Sequence, residues 1–194
     1  MMLVQVPLLV DELTGQKVTK AAAGFTHSAV LTEDGLLYTY GQNDSGQLGC
    51  EAGSVVDTHA MEVAPVLIQG DTMEGRRVKD IACGFKSTII STDQGQVIYT
   101  GDRVHTQPTE ITGDERCFSP NNIIEVAAGK RAQVAINDQG EAFSWGQNGK
   151  FLGLGSTEKE KFPVKMEELN AHGKVIKIVG GYGRMAAAVL PHDA

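Results

Sequence analysis

The sequence predicts an all-β fold, a partial β-propeller with three full four-stranded antiparallel blades and a shared or incomplete fourth, and three observations carry the prediction. Glycines recur in one frame, Gly-x10-Gly-x5-Gly, at Gly24, Gly35 and Gly41, at Gly84, Gly95 and Gly101, and at Gly129, Gly140 and Gly146. The same β-prone runs flank them each time, joined by an acidic or amide residue before glycine, as at Asp34-Gly35, Gln94-Gly95 and Gln139-Gly140. Each unit then closes on a proline-led run: Pro65-Val66-Leu67-Ile68, Pro108-Thr109-Glu110-Ile111 and Pro163-Val164-Lys165-Met166. Repeated units of four short strands are the sequence sign of propeller blades.

Taken in chain order, Pro7-Leu8-Leu9-Val10 at 7–10 reads as a lone strand of the fourth type. The first unit, 18–68, opens with Val18 and Ala21, six and three positions before its first glycine; Val78 and Ile81 open the second, 78–111, and Ile123 and Val126 the third, 123–166. Second strands are expected over 28–32, 88–92 and 133–137, and third strands over 36–40, 96–100 and 141–145. The turns between them need a residue with φ > 0, which glycine supplies without a Cβ clash. A proline at the head of the fourth strand suits an edge, because it has no N–H to give to a ladder. Residues 167–173 predict one helical turn capped by Gly173, and an incomplete unit, 175–190, holds two strands. The whole chain, 1–194, is read as a single partial propeller.

Three stretches stand out: Val78-Lys79-Asp80-Ile81-Ala82-Cys83-Gly84, Gly24-Phe25-Thr26-His27-Ser28-Ala29-Val30-Leu31-Thr32, and above all Tyr40-Gly41-Gln42-Asn43-Asp44-Ser45-Gly46-Gln47-Leu48-Gly49. These motifs resemble the regulator of chromosome condensation repeat family. Trp145-Gly146-Gln147-Asn148-Gly149-Lys150-Phe151-Leu152-Gly153 is a worn copy of the last motif. Unit two departs from it, since Gly101-Asp102-Arg103 lacks the Asn and the Gln-Leu-Gly tail, and His27-Ser28 becomes Ser87-Thr88 and then Ala132-Gln133. The resemblance implies a ring of seven blades in which N- and C-terminal strands share one blade. This chain supplies about four, so three outcomes stand open: a small four-bladed ring, completion by another copy or another protein, or blades outside this sequence. The resemblance favours the second and third, and with them a chain that is not a free monomer. It implies a non-catalytic platform for protein contacts within a larger assembly or, as the alternative, guanine-nucleotide exchange on a Ran-like small GTPase.

Composition fits a folded domain, with 41% hydrophobic and 21% charged residues. The net charge of -7 argues against a general nucleic-acid surface. The apolar N-terminus lacks a basic start and is cut by Gln5 and Pro7, so it reads as a strand rather than a leader or a membrane span. Cys50, Cys83 and Cys117 are odd in number and without CxxC spacing, which suits a reducing compartment, cytoplasmic or nuclear, with ciliary or organellar assemblies left open. Cys83 aligns with Ala23 and Ala128 and is expected in the core. His27 is expected to make a structural hydrogen bond, and no histidine spacing offers a zinc set. Gly129-Lys130-Arg131 lacks the rest of a Walker loop, and no nucleophile elbow occurs, so neither an enzyme nor a cofactor or metal site is expected.

Alternate connections of an antiparallel blade emerge on opposite rims. Turns between first and second strands carry Lys86, Lys130, Arg131 and Arg184, while turns between second and third carry Glu33, Asp34, Asp93 and Asp138. The expectation is a basic rim that meets an acidic partner and an opposed acidic one. Connections between third and fourth strands share the basic rim and differ in length: 42–64, 102–107 and 147–162. Long loops on a rigid scaffold tend to carry recognition, which makes 44–64 the candidate contact loop and 156–161 the next. The candidate partner-binding residues are Lys86, Lys130, Arg131, Arg184, Asp44 and His59.

Overall fold

The computed structural model describes residues 9–50, 60–112, 122–147 and 149–192. Its first sheet runs in the order β1 (Val18–Ala23), β2 (His27–Thr32), β3 (Leu37–Gln42), β4 (Met61–Leu67). The second repeats the order with β5 (Val78–Cys83), β6 (Ser87–Thr92), β7 (Val97–Gly101) and β8 (His105–Glu110). The third does so with β9 (Ile123–Ala128), β10 (Ala132–Asn137), β11 (Ala142–Gly146) and β12 (Glu160–Lys165). A helical turn, α1 (Glu167–Ala171), then leads into a two-stranded sheet of β13 (Gly173–Gly180) and β14 (Met185–Pro191). Every pairing is antiparallel.

The turns between second and third strands form as the sequence requires. In each, the frame glycine donates its N–H to the carbonyl three residues back: Gly35 to Thr32, Gly95 to Thr92 and Gly140 to Asn137, all at 3.0 Å. The glycines sit at φ of 76°, 78° and 81°, the left-handed position that closes a type I turn with a bulge.

The apolar core lies between successive sheets rather than within one. Ala29, Leu31 and Leu37 of the first blade meet Ile81, Ile90 and Ile98 of the second, with Cys83 packed at the margin as expected. Ile89, Val97 and Tyr99 meet Val126, Ala135, Phe143 and Trp145 across the next seam. Val134 and Ile136 then meet Val175 and Ile178 of the last hairpin, with Leu169 of α1 alongside. Near the axis the first frame glycines bring backbones into contact. A Cβ on Gly24 would lie 2.5 Å from the Gly84 carbonyl oxygen, on Gly84 2.9 Å from that of Gly129, and on Gly129 2.7 Å from that of Gly181. A side chain there would push neighbouring blades apart, which is why the repeat keeps glycine at this place.

The prolines differ from expectation. Pro65, Pro108 and Pro163 do not open the fourth strands but lie inside them, as the fifth, fourth and fourth residues. The pairing is interrupted there, between Thr39 and Gly41, Tyr99 and Gly101, and Ser144 and Gly146. An outermost strand with an interrupted ladder tolerates the missing N–H anywhere along the interruption. Of the expected strand 7–10, Pro7 and Leu8 lie outside the described residues, and Leu9 and Val10 make no ladder but lead into a 3-10 turn at Asp11–Leu13. Among the described residues no helix is long and apolar enough to cross a membrane.

Candidate functional site

The turns joining first to second strands gather at one end of the axis. The residue after each first glycine is Phe25, Phe85, Lys130 and Tyr182 in the four units. Phe85 donates its N–H to the Gly129 carbonyl at 3.3 Å and Lys130 to the Tyr182 carbonyl at 3.1 Å, so these turns are tied blade to blade. Their side chains converge. The Phe25 and Phe85 rings stack with centroids 4.4 Å apart, and Phe85 meets Tyr182 edge-on at 5.6 Å. The Lys130 ammonium stands 5.4 Å from the Phe85 centroid and 4.6 Å from that of Tyr182, and donates to the Tyr182 hydroxyl at 2.8 Å. Aromatic faces carry negative potential, so they hold the cation without neutralising its charge. Phe25 and Tyr182 are 63% and 61% exposed, far above what large apolar rings ordinarily show. Beneath the cluster is a cavity of about 230 Å³ lined by Ala23, Cys83, Ala128 and the axial glycines. Burial pushes the Cys83 thiol up to about 12, so it is no nucleophile.

Of the expected partner-binding residues, Lys130, Arg131 and Arg184 share this face, and both arginines are exposed. Arg131 holds a left-handed φ of 61° at its turn. Lys86 and Asp44 do not stand apart: the Lys86 ammonium pairs with the Asp44 carboxylate at 2.5 Å, and both are largely buried. Burial pushes the Asp44 carboxyl up, but hydrogen bonds from Lys86 and Gln47 outweigh it and hold it below the usual carboxylate range. His59 lies outside the described residues, as does the middle of the candidate contact loop 44–64, residues 51–59. The cation–aromatic core of the face escaped sequence reasoning that followed charge alone. Its signal was the aromatic residue after the first frame glycine in three of four units.

The third-to-fourth connections do share this rim. Gln42, Asp102 and Gln147 each donate a backbone N–H back to the first turn of their own blade, to Thr26, Lys86 and Arg131 at 2.8, 2.8 and 2.9 Å. In the first blade the connection becomes a clasp onto the second. Thr88 Oγ1 donates to the Gln47 carbonyl and Thr100 Oγ1 to that of Gly46, both at 2.7 Å, and Arg103 N–H donates to the Ser45 carbonyl at 3.0 Å. Leu48, fully buried, is the plug, its carbonyl accepting from Thr39 Oγ1 at 2.8 Å. His27 makes the structural hydrogen bond expected of it, with Nε2 3.0 Å from Thr88 Oγ1. Since that hydroxyl gives its proton to Gln47, the imidazole is the donor, and burial lowers it to about 4 against the weaker pull of the Ser87 backbone.

The opposite rim is less acidic than expected. Lys17 pairs with Glu33 at 2.5 Å, Arg77 donates to the Glu33 carbonyl at 3.1 Å, and Asp93 accepts from the Arg77 N–H at 3.0 Å. The connectors between blades bring cations to the acidic turns, so the net polarity between the rims comes mainly from the axial face. No group of three or more acidic, histidine or cysteine side chains fit for a metal occurs among the described residues.

Radial four-stranded sheets, seam cores and a ring-lined axial mouth define a repeat-built β-propeller. The model of the Regulator of chromosome condensation (RCC1) repeat matches residues 18–47 and, in a second form, 34–90 and 139–188, more than half of the chain. The chain belongs to this repeat family, as its motifs implied. It is 33% identical over 178 residues to the mouse E3 ubiquitin-protein ligase HERC2, covering 86% of this chain and 4% of that protein. It is 31% identical over 153 residues to the bovine Secretion-regulating guanine nucleotide exchange factor, covering 75% of this chain and 30% of the relative. Among solved structures, human WBSCR16 superposes with a TM-score of 0.76 at 21% identity, over 93% of this chain and 46% of the other. Prp20p from Saccharomyces cerevisiae, whose study concerns binding to Gsp1p and histones, does so at 0.71 and 21%, over 91% and 45%. The chain thus spans less than half the length of these proteins.

Proposed function

We propose that this chain is a non-catalytic platform for protein contacts, working as part of a larger assembly and meeting an acidic partner surface through the axial face built by Phe25, Phe85, Lys130 and Tyr182 with Arg131 and Arg184. The observation that carries this reading is a lysine held between the Phe85 and Tyr182 rings, with Phe25 and Tyr182 exposed and two exposed arginines beside them, on a chain of net charge -7. Rings on a rigid backbone are strong interface anchors, and surrounding cations set register and encounter rate. Lys86 and Asp44 serve this face from behind by fixing the loop that borders it. A complementary propeller portion is a second partner, supported by the outward Ile176, Val179 and Leu190 of the last hairpin. We place the work in cytoplasm or nucleus, supported by an odd count of three cysteines without CxxC spacing.

The test is capture of partners by the full chain against a variant with K130E, R131E and R184E. The reading expects partners retained at low salt, released as salt rises, and lost to the variant while its melting curve is unchanged. An identical set with both baits refutes it. Guanine-nucleotide exchange on a small GTPase is the second reading, favoured by the likeness to the bovine exchange factor. Release of a fluorescent guanine nucleotide from a GTPase panel, accelerated at least tenfold by this chain, would replace the first reading with the second.

A further inference from the structure

The three seams between blades are not sealed alike. At the first, Leu48 and Gly49 fill the gap, and a Cβ on Gly49 would touch Thr100, Pro108 and Ile68. At the third, Leu152 is almost wholly buried and its carbonyl accepts from Ser144 Oγ at 2.6 Å, as that of Leu48 does from Thr39. Among the described residues the middle seam has no such plug: the connection from β7 to β8 is three residues long, Asp102 to Val104, and carries Asp102-Arg103 where the clasp would begin. The residue matching Thr39 and Ser144 is Tyr99, two before the third glycine, and its hydroxyl turns to Asp102 at 2.6 Å. On the receiving blade, Gln133 and Trp145 stand where the second blade has Thr88 and Thr100.

What remains is a cleft of about 310 Å³ among the described residues. Ile111, Trp145 and Lys161 line it, and these are the repeat equivalents of Ile68, Thr100 and Thr106, the groups that receive the plug one seam earlier. Tyr99, Phe162 and Val104 complete an apolar wall, and Asp102 and Glu160 bring carboxylates to its edge. Asp102 and Arg103 hold left-handed φ angles of 52° and 60° in this short connection.

We propose that this cleft takes in trans what the other seams supply in cis: a turn-forming peptide segment of another protein that buries one leucine-sized side chain against Trp145 and Ile111, with a basic residue beside it facing Asp102 and Glu160. The two filled seams show the occupant's shape, a leucine followed by glycine in a tight turn. The carboxylates at the edge give its charge. The site borders the same rim as the axial face, since Asp102 and Gln147 are tied to the Lys86 and Arg131 turns, but none of the axial rings lines it.

Trp145 is the chain's one tryptophan, so its fluorescence reports the cleft directly. The full chain is titrated with blocked peptides of the form Gly-Arg-Leu-Gly, with Gly-Arg-Ala-Gly and Gly-Glu-Leu-Gly as comparators. The expectation is a saturable shift of Trp145 emission with the first, weakened at least tenfold by either comparator. D102N, which suits the left-handed backbone and retains an acceptor for Tyr99, should weaken the Arg peptide several-fold while leaving the melting temperature in place. V104E, at an exposed edge position, tests the apolar wall in the same way. No response of Trp145 to the Arg-Leu peptide at millimolar concentration overturns the proposal. So does a response that the Ala peptide reproduces, or one that neither D102N nor V104E changes in the folded protein.

Discussion

Replacing Leu48 with alanine should be among the most costly single changes in the chain, because it empties a plug that no neighbour can fill. The side chain is fully buried. The space around the adjacent Gly49 is walled by the Pro108 ring, the Thr100 methyl group and Ile68, rigid or branched groups with little freedom to collapse inward. Buried Leu→Ala changes cost about 2–5 kcal/mol, rising with the cavity left behind, and stiff walls put this one in the upper half of that range. For a chain of this size each kcal/mol lowers Tm by about 2–4 °C, so a drop of roughly 10 °C is expected. The assay is thermal and urea unfolding followed by circular dichroism, with V63A, at a residue 83% exposed, as the control that should move stability by less than about 0.5 kcal/mol. T39V removes the donor to the Leu48 carbonyl and should cost about 1–3 kcal/mol. Because both changes act on one loop, the double variant should lose less than the sum. A loss for L48A no larger than that for V63A would refute the clasp as a structural element.

Three further outcomes follow from the same geometry. G84A should destabilise by more than about 2 kcal/mol, since its Cβ would lie 2.7 Å from Ser87 Oγ and 2.9 Å from the Gly129 carbonyl, whereas G75A, with φ of 68° and nothing within 4 Å, should cost about 1 kcal/mol by urea denaturation. His27 is lowered from 6.5 to about 4 by burial, so its neutral form favours the folded state; stability is full above pH 6.5 and lost as pH falls toward 4, by up to about 3 kcal/mol, and H27Q should flatten that limb of a pH–stability curve. Y182A should leave stability within about 1 kcal/mol by thermal unfolding yet weaken partner capture as strongly as K130E does, since the ring positions the ammonium.

The fold was legible because the glycine frame marks places where backbone must meet backbone or turn through positive φ, and neither need is negotiable. The prolines were misplaced by a few residues because an edge strand imposes no strict register, so nothing in the local pattern says where its interruption lies. The Lys86–Asp44 pair joins residues 42 apart in sequence across a seam, and no spacing announces it. The axial cluster was partly legible, since Phe25, Phe85 and Tyr182 recur at one frame position, but only the fold reveals that this position points at its neighbours. The open middle seam was visible as a missing motif in unit two, though not as a cleft, because the bulk of Tyr99, Gln133 and Trp145 had to be weighed in three dimensions.

Because the apolar contacts lie between sheets, no blade is stable on its own account, and order must spread from neighbour to neighbour. The second and third blades are braced on both flanks, while the hairpin of β13 and β14 leans on one. Amide exchange should therefore grade along the chain, slowest in β6 and β7 and fastest in that hairpin. A molecule built this way melts like a stack losing its outer members, and a partner that grips the last hairpin would stiffen every sheet behind it.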